Sequence, residues 1–158
     1  MLDKVKKYLG YAWASPLTLL GIVYTSTFRA LKWYKWHGVE GDAMVWVTSF
    51  KDSPALMKRM WMGWGGHAIG NVIVMNENYI FGSPRILVHE QKHVDQMMRL
   101  GIFQPIIYGL CYVGIKLGCP GSNAHYDNPF ELDARRAAGQ IIDIVGVAKK
   151  IVESKKTS

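Results

Sequence analysis

Between positions 8 and 28 the chain carries no charged residue: YLGYAWASPLTLLGIVYTSTF. Lys6 and Lys7 precede this run, and Arg29 and Lys32 follow it. Its length, about 20 residues, is that of a membrane span. Gly10, Gly21, Pro16 and the interspersed Ser and Thr residues argue the other way. Ser15-Pro16 has the form of a helix start, which predicts a shorter apolar helix over the second half of the run. No small-residue cleavage site follows, so a membrane-contacting or core helix is expected rather than a cleaved signal peptide, with a true span left open.

The stretch KWYKWHGVEG interleaves aromatic and basic residues in the manner of an interfacial belt or an amphipathic loop. His37, within it, has no partner at ligand spacing and reads as structural or solvated. Residues 43–48 read as a strand, residues 55–61 as a short helix after Asp52-Ser53-Pro54, and residues 71–75 as a second strand. Gly63-Trp64-Gly65-Gly66 interrupts the chain between them. A helix is predicted from Pro84 to Leu100, with Ser83 as N-cap, Pro84 in the first turn and Gly101 as terminator. Residues 101–115 form another uncharged run, short for a span and read as a buried helix or an interfacial hairpin. A last helix is expected over about residues 129–151. The elements define an α+β, mainly helical chain, most simply one domain.

The chemistry lies on the helix at 84–100. His89 and His93 stand four apart with Glu90 directly after the first, the HExxH pattern. On a helix, positions i and i+4 share one face, so two imidazoles converge on one ion, and Glu90 can reach a water held there. Such a pattern arises by accident in roughly one in two hundred chains of this composition. A surface helix with two solvated histidines is the bland alternative, and the apolar Leu87, Val88, Val94 and Met97 around the pair weigh against it. A catalytic zinc ion takes three protein ligands and keeps one position open. The downstream candidates for the third are His125, Asp127, Glu131 and Asp133. Asn128-Pro129 marks a helix start that places Glu131 in the first turn, and Ala134, Ala137 and Ala138 would allow a close approach to the first helix. A glutamate at that position also suits a helix-capping role.

Composition adds surroundings rather than function. Apolar residues make up 49% and charged ones 20%, with six Trp and eight Met, a balance that leans towards a protein living against another surface. The formal charge of +7 comes largely from lysines near the two ends. Those ends suit a membrane surface, or equally well are solvated and fraying; without a nucleic-acid-binding signature, no nucleic acid is expected as a partner. Cys111 and Cys119 make no disulfide framework, which leaves a membrane-associated or a cytoplasmic location open.

HEQKH followed by Val94-Asp95-Gln96, and then NPFELDA, resembles the small zincin-type, gluzincin-like metallopeptidases of bacteria and phages. The resemblance implies a minimal zincin-like domain, with an HExxH helix, a second metal-ligand helix and a small β-sheet. It also implies zinc held by His89, His93 and Glu131, and a peptide or protein substrate. Gln96 and Arg99 stand where a metzincin would carry Gly and His. Arg135 stands where thermolysin-like enzymes carry the Asp that orients the first His, and Asp133, two residues before it, is expected to point elsewhere. A backbone carbonyl is the remaining candidate for orienting His89. In the expected reaction Glu90 acts as general base, and Tyr126 and His125 are candidates to stabilise the oxyanion, ahead of Tyr108 and Tyr112. The alternative is a non-catalytic, zinc-containing module with a structural or interaction role at a membrane or in a virion.

Overall fold

A computed structural model describes residues 2–80, 82–119 and 121–140. Helix α1 (Leu2–Ala30) runs unbroken through Pro16, so the predicted start at Ser15-Pro16 is incorrect. Proline removes the amide that would bond the carbonyl of Ala12, and the Ser15 hydroxyl donates to that carbonyl instead, at 2.7 Å. Thr25 and Thr27 likewise donate to carbonyls four residues back, which lets hydroxyl side chains sit in an apolar helix.

The strands follow as β1 (Tyr34–Glu40), β2 (Ala43–Thr48), β3 (Gly66–Ile69) and β4 (Val72–Met75), with α2 (Ala55–Trp61) between β2 and β3. They form one sheet in the order β1-β2-β4-β3; β2 and β4 are parallel and the other pairs antiparallel. β2, β4 and α2 lie where the sequence predicts them. The aromatic–basic stretch is not a loop but strand β1, with Tyr34 buried and Trp36 half-exposed. The glycine-rich break ends in β3, a strand with no counterpart in the sequence reading.

α1 crosses the end of the sheet at the β3–β4 turn. Gly70 (φ +59°) has no room for a side chain, because a Cβ there would lie 2.2 Å from the Thr18 nitrogen. Thr18 Oγ1 accepts from the Asn71 amide at 3.0 Å and locks the turn to the helix. One face of the sheet packs Tyr34, Trp46, Val72 and Val74 against Met57 and Trp61 of α2 and the aromatic C-terminal half of α1. The other packs Val45, Ile73 and Met75 against Val94 and Met98 of α3 (Pro84–Leu100). Ser83 occupies the N-cap position of α3 as expected, but its side chain makes no capping bond.

α4 (Phe103–Gly118) is one helix rather than a hairpin, and it is largely exposed rather than buried. α5 (Pro129–Ala137) is shorter than predicted, and residues 141–151 of the expected last helix lie outside the described residues. Gly139 (φ +61°) donates to Arg136 O and Gln140 to Arg135 O, the paired bonds that close a helix at a left-handed glycine. Cys111 and Cys119 are both free thiols.

His67 on β3 gives the fold a pH dependence. Its ring stacks on Trp61 with centroids 5.1 Å apart, and Nδ1 has no hydrogen-bond partner among the described residues. Burial pulls its pKa down to about 4. The unfolded chain therefore binds a proton that the folded chain refuses, between pH 6.5 and about 4. The contribution of His67 to stability is full above that window and falls by about 3 kcal/mol in crossing it downwards. Glu90 and His93, with raised pKa values, act in the opposite sense on acidification, so the His67 effect is read as a difference. In urea titrations at pH 7 and pH 4.5, His67→Phe is expected to gain about 3 kcal/mol relative to the wild type on going to the lower pH.

Candidate metal centre

α3 brings His89 and His93 to one face, and α5 crosses α3 so that Glu131 meets them. His89 Nε2 lies 3.1 Å from His93 Nε2, Glu131 Oε2 lies 3.2 Å from His89 Nε2, and Glu131 Oε1 lies 3.5 Å from His93 Nε2. Ligands about 2.05 Å from a tetrahedral ion sit about 3.3 Å apart, and the distances between the two imidazoles and from each imidazole to one oxygen of Glu131 bracket that spacing. Two ring nitrogens this close cannot both present bare lone pairs without repulsion; a cation between them and the carboxylate removes the conflict. His89, His93 and Glu131 thus form a group able to hold a metal ion.

The supports of this group were not evident from the sequence. Gln96 is buried, and its Nε2 donates both to Phe130 O at 3.1 Å and to Asp133 Oδ2 at 3.0 Å. Its Oε1 is thereby turned to His93 Nδ1 at 2.9 Å, which must donate and so leaves Nε2 free as a ligand atom. Asp133 therefore does not point elsewhere: it fixes Gln96, and the bond from Gln96 helps hold its own carboxyl below the ordinary range. His89 Nδ1 is buried with no partner among the described residues, so no orienting carbonyl is found for it. Gln96→Leu is expected to weaken metal affinity about 10- to 100-fold with unchanged far-UV circular dichroism, as measured by competition with a chromophoric chelator.

Tyr108 of α4 donates to Glu131 Oε1 at 3.0 Å and lies 2.7 Å from His125 Nδ1, which makes it a positioning residue for the carboxylate. Asn128 ties these parts together by accepting from Phe130 N at the start of α5 and donating to the Tyr108 carbonyl. Burial alone would raise the pKa of Glu131, but its bonds to His89 and His93 hold it well below the carboxylate range. For His93 burial opposes charge, and Glu131 and Glu90 outweigh it, so its pKa is raised.

Glu90 is 5% exposed, and its Oε2 has no hydrogen-bond partner among the described residues. Burial pushes its pKa up to about 7 against the pull of His93 and His89. It packs on β3, where a Cβ at Gly66 would come within 3.0 Å of Glu90 Cγ. His125 and Tyr126 line the same cleft, of about 690 Å³, but on its rim. The His125 ring is 3.6 Å from Glu131 Oε1, and Tyr126 is half-exposed beneath the Arg135 guanidinium. Asp127 bonds the Asn123 amide and takes no part in the cluster. Of the three alanines, Ala134 and Ala138 are buried, and Ala137 is exposed.

The site therefore defines a chain with a three-donor group able to hold a metal ion beside a buried carboxylate in an open cleft. No family model matches the chain, and no curated protein or solved structure matches it.

Proposed function

We propose that the chain is a zinc-dependent metallopeptidase. The observation that carries this reading is the buried Glu90 carboxylate opening on the same cleft as His89, His93 and Glu131. A purely structural metal site has no need of such a group. Two imidazoles and one carboxylate are a donor set of catalytic zinc, and the HExxH and NPFE resemblance points the same way. When bound, the ion supplies Lewis-acid polarisation of the scissile carbonyl and lowers the pKa of a water towards neutrality.

Glu90 takes a proton from the attacking water and passes it to the leaving amine. His125 and Tyr126, which line the cleft, are the candidates to stabilise a developing oxyanion. β3 is an edge strand with no further strand beside it among the described residues, and it lines the cleft, so an extended peptide can pair with its backbone beside Glu90. The test is exposure of a peptide digest to the purified chain before and after chelation. Cleavage that disappears with the chelator and returns with zinc supports the proposal, and a zinc-loaded chain that cleaves nothing refutes it.

A further inference from the structure

Two helices carry their apolar side chains on the wrong side for a helix in water. On α1 the fully buried residues are small, namely Gly10, Ala14, Gly21 and Thr25, and the larger inward residues, Tyr24 and Phe28, lie at its C-terminal end. Leu9, Trp13, Leu19, Leu20 and Val23 face outwards. The inward face has to be small, since a Cβ at Gly21 would stand 2.6 Å from the Ile69 carbonyl oxygen. α4 repeats the inversion. Its polar Gln104 and Tyr108 turn to the metal cleft, whereas Ile106, Leu110, Val113 and Leu117 follow one another at helical spacing on the opposite side. Leu110 is 67% and Leu117 79% exposed. A helix on a water-facing surface places such a stripe against the core.

The two surfaces are continuous. The rings of Trp13 and Phe103 lie 6.0 Å apart, and Gly101 seats directly on Trp13. Exposed lysines mark the borders: Lys4 and Lys6 in the first turns of α1, and Lys116 in the last turn of α4. α4 contains no acidic residue. A second copy of the chain would bring further lysines to these borders, whereas anionic headgroups would neutralise them. No single described helix is long and apolar enough to cross a membrane; by length and composition alone, the bent pair α3–α4, angled at 112°, passes that test.

We infer that the joined outer faces of α1 and α4 dock into the interfacial layer of an anionic lipid bilayer. Gln104, Pro105 and Tyr108 of α4 also line the metal cleft, so docking sets the cleft beside the membrane surface. On the peptidase reading proposed above, the substrate class is then a membrane-anchored peptide rather than a freely diffusing one.

Flotation of the full-length chain tests the surface. It is expected to rise with vesicles of phosphatidylcholine mixed with phosphatidylglycerol, and less with phosphatidylcholine alone. The double variant Leu110→Glu/Leu117→Glu should reduce flotation by about tenfold while keeping wild-type metal stoichiometry, and Lys4→Glu/Lys6→Glu should weaken it on anionic vesicles only. A full-length chain that stays at the bottom, or a double variant that floats undiminished, overturns the proposal. A dimer that the double variant dissolves, with no flotation by either form, assigns the surface to a second copy instead. The substrate class is tested with one peptide, free and tethered to the vesicles: the double variant should lose cleavage of the tethered form alone. Equal cleavage of both forms by the double variant refutes the substrate class. A chain that floats yet cleaves neither form keeps the surface and refutes the peptidase reading.

Discussion

Glu131→Gln is expected to weaken metal binding by orders of magnitude and to leave α5 folded. The carboxylate offers one oxygen to each histidine, at 3.2 Å from His89 Nε2 and 3.5 Å from His93 Nε2. An amide keeps the size of the side chain but loses its charge, and one of its two heads becomes a donor that repels a cation. The competing role, helix capping, belongs to another residue: Asn128 accepts the Phe130 amide at the start of α5. A lost cap would lower stability by about 1 kcal/mol and leave metal affinity unchanged. Equilibrium dialysis against zinc, together with thermal unfolding, separates the two outcomes. If Glu131→Gln keeps tight metal while His125→Ala or Asp127→Asn loses it, the third donor has been assigned to the wrong residue.

The parts of this centre that rest on local geometry were legible in the sequence. His89, Glu90 and His93 follow from helical spacing, whereas Glu131 is one of four downstream candidates, set in a first turn by Asn128-Pro129 and singled out by the family resemblance. Its supports were not legible. Gln96 and Asp133 meet only because α5 crosses α3, and Tyr108 reaches Glu131 only because α4 turns away from α3 at Gly101. No spacing rule relates residues 96, 108 and 133 before the helices are packed. Asp133 lies two residues short of the thermolysin-like position and acts on the cluster through Gln96 instead.

The same distinction holds for the fold. β2 and β4 carry the apolar runs of buried strands, whereas β1 mixes a lysine, a histidine and a glycine with its aromatics, and β3 has only four residues, beginning with glycine. Their strand character comes from pairing with β2 and β4, a non-local gain that composition does not record. Pro16 misled for a related reason, since one hydroxyl at Ser15 offsets the bond that the proline removes.

Glu90→Gln is expected to lower peptide hydrolysis by about 10²- to 10⁴-fold and to leave about one metal ion per chain in place. Glu90 belongs to the cleft but not to the three-donor cluster, so the metal set survives the change. On the proposed mechanism, what is lost is the group that accepts a proton from water and returns it to the departing amine. An amide of the same length cannot do this. Folding should not suffer, because the wild-type carboxyl is 5% exposed with one oxygen unpaired, and burial already pushes its pKa up to about 7. A neutral amide removes the ionisation that burial opposes, so the metal-free variant should melt at or above the wild-type temperature at pH 8. Metal content by elemental analysis, cleavage rate and melting temperature are then read on one preparation. A variant that keeps its metal and hydrolyses peptide at the wild-type rate would show that Glu90 is not the base. One that loses its metal would show instead that Glu90 helps to build the cluster beside it.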